Sequence, residues 1–184
     1  MTEGFDIPIL LGIQENLRSD PLSAFFEGVS FFGEKGWFWI VIIIFMFVFK
    51  KTRGLSIVAA VSVAATSIIG VIMKNSVQRI RPSFYTDAIT VVGMRSDSFS
   101  FPSGHTLMSF ACAFIFLRYD KRIGIPAVIF ASLIGFSRIY LGEHYPSDVI
   151  VGVLLALAVS SIVWVIFEAI AKKSSRTEEV NAVY

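Results

Sequence analysis

The stretch Leu55-Ser-Ile-Val-Ala-Ala-Val-Ser-Val-Ala-Ala-Thr-Ser-Ile-Ile-Gly-Val-Ile-Met73, followed at once by Lys74-Asn-Ser-Val-Gln-Arg-Ile-Arg81-Pro82, decides the fold. Its first part carries no charged side chain. A helix needs about 20 such residues to cross roughly 30 Å of hydrocarbon, because backbone polar groups cannot be left unpaired in lipid. Its second part places basic residues and a proline at one end of that span.

Three further runs have the same character: Phe99 to Leu117, whose only ionisable basic group is His105, Ile123 to Gly142, charged only at Arg138, and Val149 to Phe167, uncharged. Gly36 to Phe49 is a fifth, entirely apolar but short, and reaches spanning length if Glu34 and Lys35 extend it into the headgroup layer. Upstream, Ile7 to Leu17 and Pro21 to Gly33 are broken by Glu15, Arg18, Asp20 and Glu27, which suits helices lying in the interface; a sixth crossing is the alternative. The expected fold is therefore all-α, a polytopic membrane helical bundle of five spans, or six by that alternative. It forms a single domain over 1–184, with interfacial helices in 1–35, a membrane core in 36–171 and a frayed cytoplasmic tail in 172–184.

Composition agrees with a membrane domain. The chain is 55% hydrophobic and 16% charged, with a formal net charge of +2 and a mean hydropathy of +0.72, too apolar for an ordinary soluble domain. The basic residues cluster between apolar runs instead of forming a stripe, which argues against nucleic acid as a partner. The lone Cys112 excludes an intramolecular disulfide and is expected to pack. Acidic residues within the first apolar stretch argue against a cleavable signal peptide. Lys50, Lys51 and Arg53, then Arg118, Lys121 and Arg122, then Lys172, Lys173 and Arg176 fall on one common side if spans alternate, and the positive-inside rule makes that side cytoplasmic. Both histidines then lie near the outer surface.

Three polar segments remain to be explained. Lys74 and Arg81 are seven apart, a spacing that on a helix lets both reach one anion; headgroup snorkelling is the plainer alternative. In Phe101-Pro-Ser-Gly-His-Thr106, Ser103 is placed to cap the following helix. Gly104 removes side-chain bulk, and the first N–H groups would point at a bound phosphate beside His105. Alone, this is also a common turn-and-cap sequence. In the third segment Arg138 sits inside an apolar run, at a cost of at least about 2.5 kcal/mol unless an anion or cavity compensates it. His144 and Asp148 are four apart, so the carboxylate can accept from one imidazole nitrogen and leave the other free to attack; a structural pair capping a helix is the alternative. Glu143 either tunes His144 or faces solvent. The loop Ser83 to Ser100 either covers the site or carries interfacial aromatic residues.

Taken together, Lys74-x6-Arg81-Pro82, Pro102-Ser103-Gly104-His105 and Ser137-Arg138-x5-His144-x3-Asp148 resemble the type 2 phosphatidic acid phosphatase superfamily, with every defining position matched in order. The resemblance implies His144 as nucleophile forming a phosphohistidine, Asp148 orienting it and His105 protonating the leaving oxygen. It implies Lys74, Arg81, Arg138, Ser103 and the Gly104 N–H as phosphate ligands. Three cations can supply the charge stabilisation often left to magnesium, so no metal or other cofactor is expected. The implied partners are the bilayer and a lipid phosphate or diphosphate, first undecaprenyl pyrophosphate hydrolysed to undecaprenyl phosphate at the outer face, with phosphatidylglycerophosphate or phosphatidate as alternatives. A vanadate-dependent haloperoxidase and an anion channel or transporter are the competing classes.

Overall fold

The computed structural model describes residues 3–93 and 95–181, and its described regular elements are all helical. In chain order they are α1 (Glu3–Asn16), α2 (Asp20–Gly33), a 3₁₀ turn (Glu34–Gly36), α3 (Trp37–Val48), α4 (Arg53–Val77), the short α5 (Pro82–Tyr85), α6 (Gly104–Tyr119), α7 (Lys121–Tyr140) and α8 (Pro146–Asn181).

Helix α6 is the hub, packed against α4, α7 and α8. Its Ala111, Cys112, Ala113 and Ile115 are fully buried, so Cys112 is a packing residue as its surroundings in the sequence suggest. Lipid tails are as apolar as leucine, so close backbone approach and interhelical hydrogen bonds hold such a bundle. Both are present. A side chain at Gly135 of α7 or Gly152 of α8 would press on Thr106, and one at Gly70 of α4 would strike Leu107. Ser62 donates to the Ala111 carbonyl at 3.1 Å, and Trp39 Nε1 donates to Ser109 Oγ at 2.9 Å. Outside this core, Ile44, Phe45, Ile68, Val71, Ile72, Ile162 and Val165 are exposed, as residues facing hydrocarbon must be.

Four segments are long and apolar enough to cross a membrane: Asp20–Val48, Arg53–Tyr85, Lys121–Tyr140 and Pro146–Lys173. Helix α6 adds a fifth layer, only 16 residues or about 24 Å long, at the centre of the others. Three expectations change. Pro21 to Gly33 is not a separate interfacial helix in the packing: α2 packs along α7 and joins α3 through a kink at Lys35 and Gly36 (φ 48° and 69°), and Asp20–Val48 together is long and apolar enough for one broken crossing. Glu27 and Glu34 are tolerated there because they line the cavity that also holds Lys35, Lys74, Arg81 and Arg138. The span expected from Phe99 becomes helical only at Gly104, because 99–103 turn back toward the site. The tail is not frayed at Lys172, since α8 continues to Asn181; residues 182–184 lie outside the described residues.

Candidate active site

The segment carrying His144 is shaped by two helix ends. α7 closes in a Schellman arrangement, with Gly142 N–H on the Ile139 carbonyl at 3.0 Å and Glu143 N–H on the Arg138 carbonyl at 3.1 Å. Gly142 adopts φ +77°, and a Cβ there would lie 2.6 Å from the Thr90 carbonyl oxygen, so glycine is required twice over. The His144 N–H also donates to the Arg138 carbonyl at 3.1 Å, which fixes its distance from that arginine. α8 then begins at Pro146, and Asp148 in its first turn reaches back to accept from the Tyr145 N–H at 3.0 Å.

These ends set the imidazole. His144 is 2% exposed, with Nδ1 3.4 Å from Asp148 Oδ2 and Nε2 3.5 Å from Arg81 Nη1. A proton on Nδ1, facing the carboxylate, leaves the Nε2 lone pair toward the cations. Burial holds His144 well below the ordinary histidine range, against the opposing hydrogen bond to Asp148, so the ring is neutral at pH 7. Asp148 is itself tightly held. Ser100 Oγ donates a short hydrogen bond to its Oδ2, and Arg79 Nη1 pairs with its Oδ1 at 2.7 Å.

Lys74, Arg81 and Arg138 all line one cavity of about 730 Å³ together with Gly104, His105 and His144. They converge, but not as the helical spacing predicts. α4 stops at Val77, where Gln78 takes a left-handed conformation (φ 51°) and its N–H caps the Lys74 carbonyl at 3.1 Å. Arg79 and Arg81 therefore lie on an extended link and point to different partners. Arg81 donates from Nε to the Ser98 carbonyl at 2.7 Å and from Nη1 to Glu143 Oε2 at 2.5 Å. Arg138 is compensated by Ser30 Oγ at 2.5 Å and Glu143 Oε2 at 3.5 Å.

His105 stands in the first turn of α6, against α2: a Cβ on Gly33 would come within 2.8 Å of its ring. A side chain on Gly104 would meet nothing within 4 Å, consistent with open space on that side of the helix start. Ser103 occupies the cap position of α6 without a side-chain cap bond; its buried Oγ accepts from Thr106 Oγ1 at 3.0 Å, and it does not line the cavity. The Ser83 to Ser100 loop does reach the site, contributing Arg95, Ser96 and Ser98 to the cavity wall.

Sequence reasoning missed several participants. Asp6, fully buried on α1, accepts from Ser147 N at 2.9 Å and Ser147 Oγ at 2.7 Å, and pairs with Arg79 Nη2 at 2.8 Å. Arg79 stacks over Tyr145 at 3.7 Å while bridging Asp6 and Asp148. Ser30, Ser98 and Ser100 gave no signal as isolated serines. Glu143 proves buried between the two arginines, so it does not face solvent. Among the described residues, no three His, Cys, Asp or Glu side chains gather as a metal-ligand set.

Residues 55–172 match the model of the PAP2 superfamily. The chain is 28% identical over 158 residues to an undecaprenyl-diphosphatase of Sulfolobus acidocaldarius, covering 85% of this chain and 76% of that one. It is 32% identical over 161 residues to a decaprenylphosphoryl-5-phosphoribose phosphatase of Mycobacterium tuberculosis, covering 86% and 88%. Its fold superposes on the crystal structure of Aquifex aeolicus LpxE with a TM-score of 0.77 at 27% identity, covering 86% and 94%. The matched residues include Lys74, Arg81, Arg138 and both histidines of the cavity, and the chain thus belongs to the PAP2 superfamily as a multi-pass membrane phosphatase.

Proposed function

We propose that this phosphatase hydrolyses a polyprenyl diphosphate, undecaprenyl pyrophosphate in the first instance, to the monophosphate and orthophosphate at the extracytoplasmic membrane face. The observation that carries the chemistry is the placement of His144 Nε2, 3.5 Å from Arg81 Nη1, in a cavity that also holds His105, Lys74 and Arg138. In the first step Nε2 attacks phosphorus, the bond to the leaving oxygen breaks, and His105 gives that oxygen a proton. In the second, His105 takes a proton from water, water oxygen attacks phosphorus, and the N–P bond of the phosphohistidine breaks. Lys74, Arg81, Arg138 and the Gly104 N–H hold the phosphoryl oxygens. Asp148 stays ionised and keeps the Nδ1 proton in place. Ser103 contributes through its backbone, whose N–H donates to the Asp148 carbonyl at 3.3 Å.

The charge stabilisation rests on side chains alone in this reading, with no metal. The polyprenyl class is favoured by the names of the Sulfolobus and Mycobacterium relatives. The second of these also favours a specific alternative, a phosphomonoester on a polyprenyl-linked sugar. The outer face is favoured by the basic residues at the opposite end of the bundle. The test is phosphate release by detergent-purified protein, in EDTA, from a panel of polyprenyl diphosphates, polyprenyl-linked sugar phosphates, phosphatidylglycerophosphate and phosphatidate. Fastest release from the diphosphate, with none from His144→Ala, is expected. Release by His144→Ala at near the wild-type rate removes the nucleophile assignment, and preference for a glycerolipid removes the substrate assignment.

A further inference from the structure

Glu143 immediately precedes the attacking histidine, and its carboxylate lies where an anion would be held. It is 2% exposed, and its Oε2 lies 2.5 Å from Arg81 Nη1 and 3.5 Å from Arg138 Nη2. One carboxylate oxygen is thus shared by two of the guanidiniums assigned above to the phosphoryl group. The arrangement is also incomplete. Glu143 Oε1 and Arg138 Nε are buried without a hydrogen-bond partner, although both residues line the cavity. Folded proteins leave few such atoms unpaired, and where they line a cavity a bound polar group can satisfy them.

A phosphate monoester carries nearly two negative charges at neutral pH. It cannot take both guanidiniums while a buried carboxylate remains on them, since like charges in a poorly solvated pocket repel strongly. Arg138 Nε offers the incoming anion a donor that the carboxylate leaves unused.

We propose that Glu143 is an internal competitor for the phosphate cradle. Its carboxylate neutralises Arg81 and Arg138 in the empty enzyme, yields them to the phosphoryl group of the substrate, and reclaims them as orthophosphate leaves. No covalent bond to Glu143 forms or breaks. The residue sets how weakly the product is held, and so how readily the site clears. This rests on the cavity being the phosphatase site, but makes a separate prediction. A carboxylate that merely organises the arginines would, once removed, loosen the cradle and weaken phosphate binding; a competitor, once removed, strengthens it.

The experiment is a ³¹P NMR titration of inorganic orthophosphate into detergent-purified wild type, Glu143→Gln and Arg81→Ala. Glu143→Gln keeps the shape and an acceptor for Arg81 while deleting the charge, and is expected to bind orthophosphate about tenfold more tightly than wild type, within the range of single close charge pairs. Equal or weaker binding overturns the inference. Should the amide fail to fold, Glu143→Asp applies the same test, because it withdraws the charge by one methylene and is likewise expected to tighten binding. Arg81→Ala separates the two levels. If it leaves orthophosphate binding unchanged, the cavity is not the phosphate site, and the functional reading falls along with the inference; if it weakens binding while Glu143→Gln does not strengthen it, only the inference falls.

Discussion

At the scale of single residues, the protonation state of His144 has a visible consequence. Its imidazole is buried and held below the 6.5 of a free histidine, chiefly by loss of hydration, so the folded enzyme binds fewer protons there than the unfolded chain between the two values. Stability contributed by this site is complete above pH 6.5 and declines as pH falls below it. The same sign would govern catalysis by the proposed nucleophile: its lone pair stays available below pH 6.5, and the acid limb of kcat/KM is expected well under that value. Asp148→Asn should lower kcat by orders of magnitude, because an amide can no longer enforce the Nδ1 proton. An acid limb centred at 6.5 or above in wild type would contradict a buried, neutral His144 as the proposed nucleophile. The cations and histidines were legible in the sequence because an ionisable group in an apolar run needs a reason to be there. Whether Glu143 tunes His144 or faces solvent was not, since its burial depends on Arg81 arriving from 62 residues away, a contact that no local pattern encodes.

At the scale of elements, the two ends of α7 and α8 were partly readable. Pro146 announces a helix start and Leu141-Gly142 a helix stop, and both occur there. The helical extension from Lys74 to Arg81 misled, because Gln78 turns left-handed and no residue type at that position signals it. Helix α1 had no motif, yet it supplies the missing cap of α8. Asp6 accepts the Ser147 N–H in the first turn, the position at which an anion best satisfies free amide groups and the helix dipole. The same carboxylate steadies Arg79, which pairs with Asp148 behind His144. Asp6→Ala is therefore expected to destabilise the protein by about 1–3 kcal/mol, the cost of a lost cap and an unmet buried hydrogen bond. It is also expected to lower kcat more than it raises KM, because it disturbs Asp148 without touching the residues proposed to hold phosphate. Thermal unfolding and steady-state kinetics on Asp6→Ala and Asp6→Asn check this. A variant with reduced stability but unaltered kcat would confine α1 to a structural role.

At the scale of the whole molecule, the site and the basic clusters occupy opposite ends of one bundle. α4 and α7 finish at the cavity while α6 and α8 start from it, so the junctions around Lys50 to Arg53 and Arg118 to Arg122, with Lys172 and Lys173 beyond, lie away from it. Each lysine or arginine near an anionic cytoplasmic leaflet gains about 1 kcal/mol, which favours one orientation of the bundle in the membrane. That sense puts the cavity outside, and the chain carries its own means of testing it. Its single cysteine, Cys112, has no exposed surface and is shielded by α4, α7 and α8, so the natural protein is silent toward a membrane-impermeant maleimide. Ser96→Cys places a half-buried thiol on the loop beside the cavity, and Lys51→Cys places one at the far end, where the side chain is exposed. In intact cells the first variant is expected to react and the second to react only after permeabilisation. The reverse pattern would turn the active site to the cytoplasm, and with it the pool of lipid phosphates that the enzyme meets.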